Sequence, residues 1–147
     1  MRISQILQTK RMDVVVASPD STVRTAITLM KQERVGALVV VDPSRRLLGV
    51  LSERDIIHSL AVEGEDVLRR AVGTIMRTDG PVVTMQDTVQ SAMQAMTVKR
   101  ARHVPIVDGE RMVGVVSIGD VVKSRLDEKV QENSVLQDLA RLRVLGG

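Results

Sequence analysis

No phenylalanine, tyrosine, tryptophan or cysteine occurs among the 147 residues. Without an aromatic ring no nucleobase is stacked, which excludes the aromatic platforms that hold single-stranded nucleic acid. Without cysteine there is no disulfide, no thiolate nucleophile and no cysteine-ligated zinc, and His58 and His103 are too few for a histidine-rich metal site. Long apolar runs are scarce at the start: MRISQILQTKRMD carries charges throughout, so neither a signal peptide nor a membrane span is expected, and a cytoplasmic location is the default. Charge of one sign is scarce too. The 21 lysines and arginines stand against 18 aspartates and glutamates, and a net +3 is too small and too dispersed to argue for a nucleic-acid partner.

What is present is a core of aliphatic residues. Hydrophobic residues make up 44% of the chain, enough for one packed domain or two very small ones built from Val, Leu, Ile, Met and Ala. The chain also repeats itself. VASPDSTVRTAITLMKQERVGALVVVD, Val16 to Asp42, lines up with VVTMQDTVQSAMQAMTVKRARHVPIVD, Val82 to Asp108, with identities at Val23/Val89, Ala26/Ala92, Met30/Met96, Arg34/Arg100 and Asp42/Asp108. After a one-residue deletion, LLGVLSERDII aligns with MVGVVSIGDVV.

Each copy reads the same way. A short β-rich run (Val14 to Ala17; Val82 to Thr84) meets a turn and a cap, Ser21 or Asp87, that opens an amphipathic helix. Two strands follow across a tight turn: Ala37 to Val41 and Leu47 to Leu51, then Val104 to Val107 and Met112 to Val116. A second helix starts at Ser52 or Ser117. The run LVVV predicts a strand buried on both faces, so the two copies must pack together. Residues 61–76 read as a polar connection with a short helix. The tail after Asp120 spaces Val122, Leu126, Val130, Leu136, Leu139 and Leu142 as an amphipathic helix, suited either to packing on its own domain or to a partner.

The most specific pattern is Gly-hydrophobic-hydrophobic-Ser-x-x-Asp, at Gly49 to Asp55 and again at Gly114 to Asp120. A capping box explains it structurally: Ser satisfies an orphan helix N–H and the acidic side chain reaches back. The same geometry suits a ribonucleotide, because a helix N-terminus attracts phosphate and a carboxylate one turn in accepts from a vicinal diol.

Two such copies in register, preceded by ERVGALVVVD and KRARHVPIVD, resemble a tandem pair of CBS domains, the cystathionine-beta-synthase-type regulatory module, over Ile3 to Arg125. The resemblance implies an α+β (mixed α/β) fold of two strand-helix-strand-strand-helix repeats related by a pseudo-twofold. The expected divisions are 1–60 with an N-terminal helix, a connection 61–76, 77–125, and a helical tail 126–147. It also implies an adenosine nucleotide (AMP, ADP, ATP, NAD(H) or S-adenosylmethionine) as regulatory ligand in two clefts, with no obligatory cofactor, and a homodimer. Carried over, Ser117, Ile118 and Asp120 face Val14, Val15, Val35, Gly36 and Ala37 in one cleft, while Ser52, Arg54 and Asp55 face Gly80, Pro81, Val82, Ala101, Arg102 and His103 in the other. Gly36 and Ala37 leave room for a base. Arg102 offers charge for a phosphate.

The expected function is therefore non-catalytic: a sensor that binds a nucleotide and signals to a regulated protein through dimer geometry. No nucleophile-base pair, metal cluster or Walker-type loop is present. The alternative is a structural interaction module with degenerate clefts, to which the tail helix docks a partner.

Overall fold

The computed structural model describes residues 1–9 and 14–146, the last four as backbone; Lys10 to Asp13 of the N-terminal stretch and Gly147 of the tail lie outside the described residues. The internal repeat becomes two three-stranded sheets of the same topology, β1-β2-β3 and β4-β5-β6. In the first unit β1 (Val16–Ala17) runs parallel to β2 (Ala37–Val41), joined by helix α2 (Val23–Glu33), and β3 (Leu47–Ser52) returns antiparallel. In the second, β4 (Val83–Thr84), α4 (Val89–Lys99), β5 (His103–Asp108) and β6 (Arg111–Ser117) repeat that order. Helices α3 (Glu53–Glu63) and α5 (Ile118–Gly146) follow the last strand of each unit.

The caps differ from expectation in the same way in both copies. Thr22 Oγ1 accepts from Thr25 N–H at 3.1 Å and Thr88 Oγ1 from Ser91 N–H at 3.0 Å, one residue later than Ser21 and Asp87. Asp87 is occupied elsewhere, accepting from Thr84 N–H at 2.8 Å to close the preceding turn. A run of adjacent capping residue types leaves the choice to helix register, which the buried faces set: Val23, Ala26 and Met30, and Val89, Ala92 and Met96, point inward.

Along β2, Leu38 and Val40 face the core of the first unit, while Val39 and Val41 face the second sheet, where Met112 meets them. The strand is thus buried on both faces. Backbone bonds stitch the same junction, from Leu47 N–H to Glu110 O at 3.1 Å and from Met112 N–H to Arg45 O at 2.9 Å.

The segment before each unit packs into the other. Helix α1 (Ile3–Thr9) precedes the first unit yet places Ile3 and Ile6 among Val83, Ala92, Met96 and Val104 of the second. The connection forms two short 3₁₀ turns, Gly64–Arg69 and Val72–Thr74, and sends Val72 into the core of the first unit. The C-terminal helix is present, with Val121 and Ser124 buried at its start. Beyond them its apolar residues, Val122, Leu126, Val130, Val135, Leu136, Leu139 and Leu142, are all more than half exposed. They do not pack on their own domain. Among the described residues no helix is long and apolar enough to cross a membrane.

Candidate functional site

The two Ser-x-x-Asp segments fold locally as capping boxes. Asp55 N–H donates to Ser52 Oγ at 3.2 Å, and Asp55 Oδ2 accepts from the Ser52 N–H at 3.1 Å and the Ser52 hydroxyl at 2.8 Å. In the second unit Asp120 N–H donates to Ser117 Oγ at 3.1 Å, and Asp120 Oδ2 accepts from Ser117 N–H at 2.8 Å. Capping therefore fixes the rotamer of each aspartate. It uses only one oxygen of Asp55, whose Oδ1 takes no hydrogen bond among the described residues.

Asp55 opens onto a cavity of about 520 Å³, within the range of small-molecule sites. Its walls come from both units. Ser52, Arg54, Asp55, Gly80, Pro81, Ala101, Arg102 and His103 all line it, as the sequence grouped them; Val82 does not, and stands half exposed. Gly36 and Ala37, expected opposite Asp120, line this cavity as well. The reason is local pairing: Ala37 lies beside Ser52 in the β2-β3 ladder, and Glu53 N–H donates to Gly36 O at 3.0 Å. Each pre-strand loop is thereby tied to the helix start of its own unit, as the bond from Ile118 N–H to Arg102 O at 2.9 Å repeats in the second.

The remaining expected residues lie outside this cavity. Val14 packs on the junction between the sheets, Val15 and Val35 pack against the first core, and Ser117 ends β6 where Ile118 and Asp120 begin α5. Five lining residues escaped the sequence reading: Val50, Glu53, Ile57, Arg77 and Arg100. Val50 and Arg77 exchange backbone bonds at 2.8 and 2.9 Å, which brings the connection alongside β3. Nothing in sequence spacing announces that pairing. Arg100 stood in the aligned pair Arg34/Arg100, a signal read there as repeat identity alone.

The lining of the cavity is chemically mixed. Ala37, Val50, Ile57, Pro81 and Ala101 are aliphatic, while Arg54, Arg77, Arg100 and Arg102 are four cationic lining residues beside two acidic ones, Glu53 and Asp55. Arg77 also approaches Asp79, at 3.7 Å. A lining of this composition suits a ligand that carries both an apolar group and an anion.

Residues 3–62 and 72–127 match the CBS domain family model. The mitochondrial CBS domain-containing protein CBSX3 of Arabidopsis thaliana is 40% identical over 117 residues, 77% of this chain; the chain spans 57% of that relative's length. The crystal structure of the CBS-domain containing protein ATU1752 from Agrobacterium tumefaciens has a TM-score of 0.80 at 34% identity, covering 85% of this chain and 99% of that one. The crystal structure of CBSX2 in complex with AMP shares the fold, with a TM-score of 0.73 at 23% identity over 87% of this chain and 98% of that one.

Proposed function

The chain belongs to the CBS-domain family as a tandem pair of repeats, and on that premise we propose that it is a non-catalytic sensor of an adenosine nucleotide, bound in the cavity beside Asp55. The observation that carries this reading is the convergence, in one cavity, of an aspartate with a free oxygen and of arginines from both units. In this reading Asp55 Oδ1 accepts from a ribose hydroxyl. The arginines supply phosphate contacts, and the aliphatic wall covers the base without stacking. AMP in the CBSX2 structure supports the ligand class.

Because both units line the cavity, a ligand that fits one relative arrangement better than another shifts the population toward it. In a homodimer that shift is transmitted as dimer geometry to a regulated protein. The test is a melting-temperature titration with AMP, ADP, ATP, NADH and S-adenosylmethionine. A nucleotide at about 100 times its Kd adds about 2.7 kcal/mol to stability, a readily measured rise. Asp55→Ala abolishes the rise.

A second reading, an interaction module with idle clefts, draws on the exposed apolar residues of α5. A titration in which no nucleotide at millimolar concentration raises the melting temperature overturns the sensor and selects that module.

A further inference from the structure

With no cysteine and no aromatic residue in the chain, the thioethers of its eight methionines are the side chains that a peroxide attacks first. Burial sorts them. Met30, Met96 and Met112 are buried, at 5%, 3% and 1% exposure, whereas Met1 is 48% exposed; Met12 lies outside the described residues. Met76, Met85 and Met93 are half-buried and so keep contact with solvent.

Met76 differs from the other two in what its sulfur holds in place. Met85 and Met93 pack against the second core. Met76 packs against the first core from the connection, where that segment runs alongside β3. Its Sδ and Cγ lie 2.8 and 3.0 Å from where a Cβ on Gly49 would stand, so the thioether occupies the notch that this glycine leaves. The next residue closes the contact: Arg77 N–H donates to Val50 O at 2.8 Å and Val50 N–H to Arg77 O at 2.9 Å. Arg77, Gly80 and Pro81, just beyond, line the cavity. The near end of this wall is thus secured by one thioether in a notch and one pair of backbone bonds.

A thioether suits the notch because it is soft and apolar. A sulfoxide does not, since its oxygen adds bulk where even a Cβ lacks room and demands a hydrogen-bond donor. The closest atom to that point, Arg77 O at 2.7 Å, is itself an acceptor, already bonded by Val50 N–H.

We propose that Met76 is an oxidation site that controls this wall of the cavity. Hydrogen peroxide transfers one oxygen to Sδ: an S–O bond forms, the O–O bond breaks, the sulfur gives up two electrons and the peroxide leaves as water. The sulfoxide quits the Gly49 notch for solvent, the Val50–Arg77 pair separates, and Arg77, Gly80 and Pro81 move away from Asp55. Reduction of the sulfoxide returns the thioether and closes the wall. The oxidation site stands on packing alone, while its effect on a ligand rests on the nucleotide reading of the same cavity.

The test treats the full chain, wild type and Met76→Leu, with hydrogen peroxide, locates each sulfoxide by peptide mass spectrometry, and follows amide exchange and AMP affinity. Met76→Leu keeps an apolar side chain of similar volume that peroxide does not oxidise, and leaves every other methionine in place. In oxidised wild type the amides of Val50 and Arg77 exchange at least about tenfold faster, the scale of two lost backbone bonds, while those of β5 and β6 keep their rates. AMP affinity falls at least about tenfold with them, and methionine sulfoxide reductase restores both. Peroxide changes neither quantity in Met76→Leu. Four results overturn the inference: Met76 reduced while Met1 and Met85 are oxidised, a Met76 sulfoxide with unchanged exchange at the two amides, faster exchange there with AMP affinity intact, or a Met76→Leu protein that responds as wild type does. Acceleration throughout β5 and β6 overturns it too, since the sulfoxide would then loosen the whole fold. Untreated wild type that binds no AMP overturns the nucleotide reading, and the exchange rates still decide whether Met76 controls the wall.

Discussion

In the proposed reading, the Asp55 carboxylate combines capping with ligand binding without conflict. Oδ2 closes the capping box and holds the side chain in a single rotamer, while Oδ1 takes no hydrogen bond among the described residues, so the structural use leaves one oxygen available for the proposed ligand contact. Gly49, which opens the same motif, has a separate cause. A Cβ there would lie 2.7 Å from Arg77 O and 2.8 Å from Met76 Sδ, so the connection passes β3 only because no side chain intervenes. Gly49→Ala is expected to cost about 1–3 kcal/mol as an overpacked contact, seen as a lower melting temperature. Gly36→Ala is the counterpart: a Cβ would lie 3.6 Å from the nearest atom, Glu53 Cδ, an ordinary contact, so stability is retained. Equal melting temperatures for the two variants would contradict the close approach. The spacing of the motif was legible in the sequence because it is a local hydrogen-bonding pattern. The reason for its glycine was not, since the atoms that demand it are contributed by a segment more than 25 residues further on.

Helix α5 divides into two regimes. Its start is anchored by Val121 and Ser124, buried to 1% and 6% exposure, whereas from Val130 onward the apolar side chains up to Leu142 are exposed. At about 100° per residue, Val122, Leu126 and Val130 drift round one side, and Val135, Leu139 and Leu142 fall on the other. The tail is helical by local propensity, but no single stripe organises it. Removing residues 130–147 should leave the melting temperature of the monomer almost unchanged, because those described side chains bury little apolar area. A fall of several degrees in a melting experiment would show instead that another molecule covers them in solution. Strand β2 makes the opposite case: its uninterrupted LVVV foretold burial on both faces, and the second sheet supplies the covering surface.

At the scale of the molecule, the exchange of leading segments binds the two units into one. Ile3, fully buried, fills the core of the second unit although it precedes the first, and Val72 does the reverse. Ile3→Ala is therefore expected to destabilise by about 2–5 kcal/mol and to lower one cooperative transition for the whole chain. Two separated transitions in calorimetry would show that the units unfold independently. The same interleaving builds the cavity, bringing Gly80 and Arg100 to Asp55 across more than 20 residues of sequence. Sequence alone determined the repeat, the order of strands and helices, the two capping boxes and the need for the copies to pack, because each is a matter of short-range periodicity and hydrogen bonding. Only the tertiary structure decided that Gly36 and Ala37 join the Asp55 cavity, that Arg77 and Arg100 line it, and that α1 belongs to the second core. Those placements follow from which buried faces meet and which backbone groups pair across the two units, and neither is encoded in the spacing of residues along one segment.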